Sequence, residues 1–433
     1  MHNSAERDPP PRCHPGTREK ATEDIVRWIE EPNSSSTVLW VNGRAGVGKS
    51  ALMQRIAELG LTYFGGCFFF RRGAPGCNVK DRLFSTLAYQ LAMSIYGMVG
   101  PIDWAMMQDF SLPTLSAADQ LKRLIIEPIR LLPIPLSPII IIIDGLDECD
   151  GFDSQRDILT LIGQVTMDPS VAIRFIIASR PEHQVCIMFN KEPLFSRTRR
   201  LVLDEEYDSA TDIQNYLMEK FKEIHLHNGD IMSATKSPWP SERVIQSLVY
   251  RASGQFVYAA TVIKFVGADT DFLTPEEGLE IILNPSPIQA AAFSELDRLY
   301  TQILSLYPDS QVLVHTLGMV LALERSNSTG FNKTSTIAMI TGFGEAKVHL
   351  IFRALQSITE VRIEPVFDDA DDNEPNGTNI QHVKLSHQSF HDFLTDKARS
   401  GPYFIDKHLF GGRVLCRILE LATISIKELR RTR

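Results

Sequence analysis

Residues 37–59 read TVLWVNGRAGVGKSALMQRIAEL: an apolar β-prone run, a glycine-rich octet and an amphipathic helical stretch, in that order. The octet is Gly43, Arg44, Ala45, Gly46, Val47, Gly48, Lys49 and Ser50, a full GxxxxGK[ST] match, with Ala51 continuing into the helix. Each residue type has a physical use. Glycines let backbone N–H groups turn inward around phosphates without Cβ clashes, and the following helix presents its N-terminus to the anion. Lys49 has the length to reach β- and γ-phosphates, and the Ser50 hydroxyl can ligate Mg²⁺. A glycine-rich turn with an accidental lysine is the alternative, and the strand–loop–helix setting argues against it.

A second pattern supports the first. Five isoleucines at 139–143 lead into Asp144-Gly145-Leu146-Asp147-Glu148. An unbroken apolar run of this length suits a central parallel strand buried on both faces. An unpaired carboxylate is costly to bury, so Asp144 is expected at the exposed C-terminal edge, opposite Ser50, where it can hold Mg²⁺. Asp147 or Glu148 is then placed to orient or deprotonate an attacking water. A third strand-like run, 173–178, ends in Ser179-Arg180-Pro181. Arg180 at that edge either contacts a γ-phosphate or simply caps the strand.

Five short β-prone segments (37–41, 67–70, 139–143, 173–178 and 201–203) alternate with stretches of helical periodicity, including 19–31, 50–59 and 80–96. That alternation predicts a parallel sheet covered by helices on both faces. Beyond residue 203 the pattern becomes all-helical (211–224, 242–251, 255–266 and 275–283), with 229–240 as a loop. Helices then recur at 293–306, 310–323 and 347–357. Two strands follow, 361–366 and 380–385, around an acidic turn, DDADDNEPNGTN, which reads as a solvated hairpin tip rather than a metal site. The expected domains are a disordered proline-rich lead-in (1–18), an α/β P-loop core (19–203), a helical domain (204–290), a winged-helix domain (291–407) and the start of a helical segment (408–433).

Composition bounds the partners. The net charge of −9 gives no bulk attraction to nucleic acid or anionic membrane, and neither is expected as a partner. The basic clusters at 197–200 and 427–433 read as solvated surface. The apolar window 124–143 carries Glu127, Arg130 and four prolines, which argues against a membrane span. Six cysteines without CxxC pairing or zinc-ligand spacing, and an N-terminus without a secretory signal, point to a reducing cytoplasmic setting.

Together these motifs resemble the NACHT branch of the STAND class of P-loop NTPases. The pattern hhhhD-G-h-D-E resembles that family's Walker B form, and Ala178-Ser179-Arg180-Pro181 its sensor. The CHPGTR segment before the first helix resembles the lead-in of fungal NACHT proteins related to the nephrocystin-like N-terminal module. LDRLYTQIL at 296–304 and LSHQSFHDFL at 385–394 resemble elements of the same family's helical and winged-helix regions. The resemblance implies phosphate binding through the octet, Mg²⁺ held by Ser50 and Asp144, a catalytic acid at Asp147 or Glu148, and nucleotide sensing by Arg180. It also implies that His387 contacts the β-phosphate of ADP in the resting state; a helix-capping or core role for that histidine is the alternative. The family's Gly-x-Pro contact has only Gly254-Gln255-Phe256 as a counterpart, without the proline.

The function expected from this is an ATP/ADP-binding signalling switch with slow Mg²⁺-dependent hydrolysis. It would self-associate on activation, in an NLR-like innate-immunity or heterokaryon-incompatibility setting. A dedicated ATPase, such as an AAA-like motor or a small-molecule kinase, is one alternative. A degenerate scaffold that binds no nucleotide is another.

Overall fold

The structure is a computed structural model and describes residues 7, 9–31, 34–72, 76–132, 138–203, 207–232, 238–268, 273–284, 295–323, 333–367, 375–385 and 387–431. The chain divides into two compact units, Met1–Tyr216 with Gly254–Phe256, and Leu217–Ser253 with Val257–Arg433.

The first unit begins with α1 (Glu19–Glu30), β1 (Val38–Asn42), α2 (Lys49–Glu58) and β2 (Phe64–Phe69). Helices α3 (Leu83–Ser94) and α4 (Val99–Gln108) follow, then α5 (Ala117–Gln120) and α6 (Glu127–Arg130) on either side of a π-helical stretch, Leu121–Ile126. The sequence pattern does not mark α4. Next come β3 (Ile139–Asp144), α7 (Phe152–Thr166), β4 (Ile173–Ser179), α8 (His183–Phe189), α9 (Leu194–Arg197) and β5 (Thr198–Val202). The five strands are parallel, in the order β2-β3-β4-β1-β5.

The period-2 alternation of a strand explains why β3 needs isoleucine throughout. Ile139, Ile141 and Ile143 face a core built with Phe84, Leu87, Ile158 and Phe189. Ile140 and Ile142 face the opposite core, with Trp28, Leu52, Met53 and Ile56. Helices therefore cover both faces, giving three layers.

Edge strand β2 is closed by a side chain. Gln90 on α3 accepts from the Cys67 N–H at 3.0 Å and donates to its carbonyl at 2.9 Å, as a neighbouring strand would, while Ser94 Oγ donates to the Gly65 carbonyl at 3.0 Å. At the other edge, β5 begins three residues earlier than expected because the 197–200 basic run forms part of it. Arg199 and Arg200 are exposed, as a surface cluster should be, and Arg200 also stacks over Trp40 at 5.3 Å.

The lead-in expectation is corrected for residues 9–18. Thr17 and Arg18 are buried, Arg55 Nη1 donates to the Thr17 carbonyl at 2.8 Å, and Arg12 pairs with Glu58 at 3.0 Å. Composition suggested disorder, but long-range ionic and hydrogen bonds fasten the segment to α2. At the far end of α1, Arg174 donates to the carbonyls of Trp28, Ile29 and Glu31 at 2.5–2.9 Å, neutralising the helix terminus.

The second unit takes α10 (Ser209–His227) from Leu217 onward, then α11 (Glu242–Ala252), α12 (Phe256–Val266) from Val257 onward and α13 (Pro275–Leu283). It continues with α14 (Glu295–Ser305), α15 (Ser310–Leu323), α16 (Thr334–Thr341), α17 (Glu345–Ala354) and an antiparallel hairpin of β6 (Thr359–Phe367) and β7 (Pro375–Leu385). The final elements are α18 (Gln388–Thr395), α19 (Lys397–Ser400) and α20 (Lys407–Arg431). Helix α20 packs on α15 where Gly318 leaves room for the Phe410 ring; an added Cβ would lie 2.4 Å from it. The acidic tip at 368–374 lies outside the described residues. Among the described residues no helix is long and apolar enough to cross a membrane.

Candidate functional site

The glycine octet joins the C-terminal end of β1 to α2, at the same sheet edge where β3 and β4 end. Its turn requires left-handed backbone at Gly46 (φ 78°) and at Gly48 (φ 95°), the N-cap of α2. The Lys49 side chain folds over its own loop, and Nζ donates to the carbonyls of Gly43 at 2.6 Å and Arg44 at 2.9 Å. Burial lowers the Lys49 pKa, opposed chiefly by Asp147. Val47 is buried and its carbonyl accepts from Arg18 Nη2 at 2.7 Å. Ala45 and Ala51 are half-buried.

Asp144 ends β3 in register with Phe69 of β2 and Ala178 of β4. Its carboxylate accepts from the Ser50 hydroxyl, while Oδ1 is buried with no hydrogen-bond partner among the described residues. Burial pushes the Asp144 pKa up to about 6, against the opposing pull of the Ser50 bond, Arg7 and Lys49. The donor set of one carboxylate and one hydroxyl, with an unused buried oxygen, suits a hard divalent cation. Among the described residues no group of three or more His, Cys, Asp and Glu gathers as a metal site. A cation here would therefore take most of its ligands from phosphate and water.

The acid turn leaves β3 through Gly145 (φ 68°), where a Cβ would sit 2.9 Å from the Phe70 carbonyl. Asp147 is buried and tied to Arg180: Oδ1 accepts from the Arg180 backbone N–H at 2.9 Å, and Oδ2 lies 3.2 Å from Nε. Glu148 Oε2 accepts from the Arg72 backbone N–H at 3.1 Å, and Arg72 Nη2 donates to the Asp147 carbonyl at 2.9 Å. Burial, then the charge of Asp147, pushes the Glu148 pKa up to about 7. Lys49, Ser50, Asp144, Asp147, Glu148 and Arg180 thus converge on one corner.

Sequence reasoning missed three arginines around this corner. Arg7 and Arg72 carried no local signal. Arg18 stood in the CHPGTR segment without an assigned role. It adopts φ 58°, its backbone N–H donates to Asp212, and its guanidinium joins Val47 to the Leu203 carbonyl and lies 5.1 Å from the Phe256 ring. The Gly254–Phe256 segment belongs to this same unit.

His387 lies in the second unit as the N-cap of α18. Its Nδ1 accepts from the Ser389 backbone N–H at 3.0 Å and lies 2.7 Å from Ser389 Oγ, which in turn is 2.7 Å from the Tyr300 hydroxyl. The capping alternative weighed for this histidine is thus present as geometry.

The parallel sheet, the glycine loop at the N-terminus of α2 and the acid at the end of β3 define the α/β fold class of P-loop ATPases. Residues 16–180 match the family described as nephrocystin 3, N-terminal. No curated protein matches the sequence. Among solved structures, the chain is similar to the ORC1 protein of Aeropyrum pernix in complex with DNA, at 14% identity and TM-score 0.36, covering 89% of this chain and 93% of that one. It is also similar to a signal transduction ATPase with numerous domains and a tetratricopeptide repeat sensor from Pyrococcus horikoshii. There the identity is 12% and the TM-score 0.39, over 79% of this chain and 39% of that chain. For Cdc6p from Pyrobaculum aerophilum the figures are 14% and 0.33, over 95% and 97%. The DNA named with the Aeropyrum protein belongs to that protein's complex.

Proposed function

We propose that the chain is an ATP/ADP-binding switch of the STAND type, with slow Mg²⁺-dependent hydrolysis. The observation that carries this reading is the buried Asp144 Oδ1, without a hydrogen-bond partner among the described residues, beside the Ser50 hydroxyl at the mouth of the glycine loop. Backbone N–H groups of 43–48 and the α2 N-terminus bind the phosphates, and Lys49 exchanges its two loop carbonyls for phosphate oxygens. Ser50 and Asp144 hold Mg²⁺, which when bound neutralises phosphate charge.

Between the two candidate acids, the bonding favours Glu148 as the base that orients water. Both oxygens of Asp147 are engaged by Arg180, whereas Glu148 has a pKa near the working range of a general base. Asp147 then acts as the strut that holds Arg180 in line with the acid turn, and Arg180 senses the γ-phosphate.

The helical and winged-helix regions are proposed to respond to the nucleotide, with His387 as the contact for the ADP β-phosphate. Reversing a 1:99 population requires about 5.5 kcal/mol of differential affinity. One charge-assisted contact contributes about 1.5–3 kcal/mol, so His387 supplies part of the bias and domain packing the rest. A cytoplasmic signalling role of the NLR-like kind, with self-association on activation, belongs to the same reading.

The test is identification of the nucleotide that co-purifies with the protein. The expected result is near-stoichiometric ADP or ATP in wild type and none in Lys49→Ala. Protein that is nucleotide-free, and that takes up neither ADP nor ATP on addition, contradicts the reading.

A further inference from the structure

The turn that carries the acids closes on itself through two N–H groups. Glu148 donates to the Gly145 carbonyl at 2.7 Å, and Cys149 to the Leu146 carbonyl at 3.2 Å. A turn this short leaves its last carbonyls unused, as the end of any helix does, and buried carbonyls need donors. Those of Asp147 and Cys149, on either side of Glu148, share one. Gln155 Nε2 donates to the Asp147 carbonyl at 3.3 Å and to the Cys149 carbonyl at 2.9 Å.

Gln155 is the fourth residue of α7 and heads its inward stripe, followed at helical spacing by Ile158, Leu159 and Ile162. It is an amide in a row of apolar side chains, and it is buried. The two carbonyls fix which way round the amide lies, because only its nitrogen can donate to them. Its Oε1 is buried without a hydrogen-bond partner among the described residues. The donor end is the end in use, and methionine or leucine would fill the place without burying an idle oxygen. Two residues between β2 and α3 also grip the turn, one at each side of Glu148. Arg72 Nη2 donates to the Asp147 carbonyl at 2.9 Å, and the Asn78 carbonyl accepts from the Asp150 N–H at 2.7 Å. Gln155 instead spans both sides and ties them to a core helix.

We propose that Gln155 is a positioning residue for Glu148, fixing the backbone on both sides of the acid so that its carboxylate meets the attacking water at one place. This rests on the reading of Glu148 as the base. A general base must come within about 2.6–3.2 Å of the proton it takes, and a misplacement of about 1 Å costs on the order of 100-fold in rate. Nucleotide binding, which belongs to the glycine loop, does not depend on these two bonds.

The experiment is a double-mutant cycle on the full chain with Gln155→Met, Glu148→Gln and both together. Single-turnover hydrolysis is read at saturating Mg²⁺·ATP, and ATP affinity by calorimetry. Gln155→Met keeps the size of the side chain and removes its donors; Gln155→Leu replaces it if the methionine variant does not fold. Hydrolysis should fall about tenfold or more with ATP affinity within about twofold of wild type. In the Glu148→Gln background the same substitution should cost nothing further. Hydrolysis within about twofold of wild type, or an equal fractional loss in both backgrounds, overturns the proposal. If Glu148→Gln slows hydrolysis and Gln155→Met does not, the proposal alone fails. If Glu148→Gln leaves hydrolysis undiminished, the reading of the base fails and takes the proposal with it.

Discussion

Asp147 and Arg180 are joined twice, by the Arg180 backbone N–H on Oδ1 at 2.9 Å and by Nε 3.2 Å from Oδ2, with the aspartate side chain 3% exposed. The acid turn after β3 and the residue that follows β4 are thereby one mechanical piece. Removing the carboxylate breaks both of these contacts at once, one of them to a backbone N–H and one to a charged group. Asp147→Ala should lower unfolding free energy by about 2–3 kcal/mol, read by chemical denaturation. A loss under about 0.5 kcal/mol contradicts the strut role.

Glu148→Gln should behave differently. Among the described residues its carboxylate accepts one hydrogen bond, from the Arg72 backbone N–H, and a glutamine oxygen can still accept it. Stability should stay close to wild type while single-turnover ATP hydrolysis falls by about 100-fold or more, with ATP retained. Undiminished turnover transfers the base to another residue.

The pH dependence follows from the same acids. A base must be deprotonated to work, so with a Glu148 pKa of about 7 hydrolysis should rise from pH 6 to pH 8 and then level off. The stability effect has the opposite sign. Glu148 and Asp144 have folded pKa values raised above their ordinary ones, so the folded state binds more protons than the unfolded state between about pH 4 and pH 7. Their contribution therefore declines as pH rises through that window. The ligand-free protein should lose stability from pH 5 to pH 7.5 on account of these two groups, and Glu148→Gln or Asp144→Asn should flatten the slope of Tm against pH. A slope unchanged in both variants contradicts the assignment.

The Tyr300–Ser389–His387 chain offers a test within the second unit. Tyr300 is buried against Phe390 and Phe393, and its hydroxyl bonds Ser389 Oγ, so Tyr300→Phe should cost about 1–1.5 kcal/mol. His387→Ala removes the α18 cap, at about 1 kcal/mol, and under the proposed function it should also speed ADP release. A lower Tm with an unchanged ADP off-rate assigns His387 to capping alone.

The legible parts of this fold are those written in contiguous residues. The glycine octet lies between a strand and a helix that it also specifies, and the isoleucine run leaves β3 no exposed face. The illegible parts depend on partners far along the chain. Gln90 stands in for a strand at the edge of β2, and Arg174 caps α1 from 143–146 residues away. Residues 9–18 read as disordered because proline and charge dominate locally, yet Arg18 reaches Val47, Leu203 and Asp212. Strand β5 was foreshortened because two exposed arginines interrupt its apolar pattern at a sheet edge, where charge is tolerated. In the site, the sequence left Asp147 and Glu148 equivalent. The backbone and side-chain contacts of Arg180 with Asp147, and the burial of Glu148, distinguish them.

The most direct test of the central claim is a calorimetric titration of wild type, Lys49→Ala and Asp144→Asn with ADP and ATP, with and without Mg²⁺. The account predicts binding in wild type that Mg²⁺ strengthens, no binding in Lys49→Ala, and binding in Asp144→Asn that Mg²⁺ no longer improves. Equal nucleotide affinity in wild type and Lys49→Ala would contradict it.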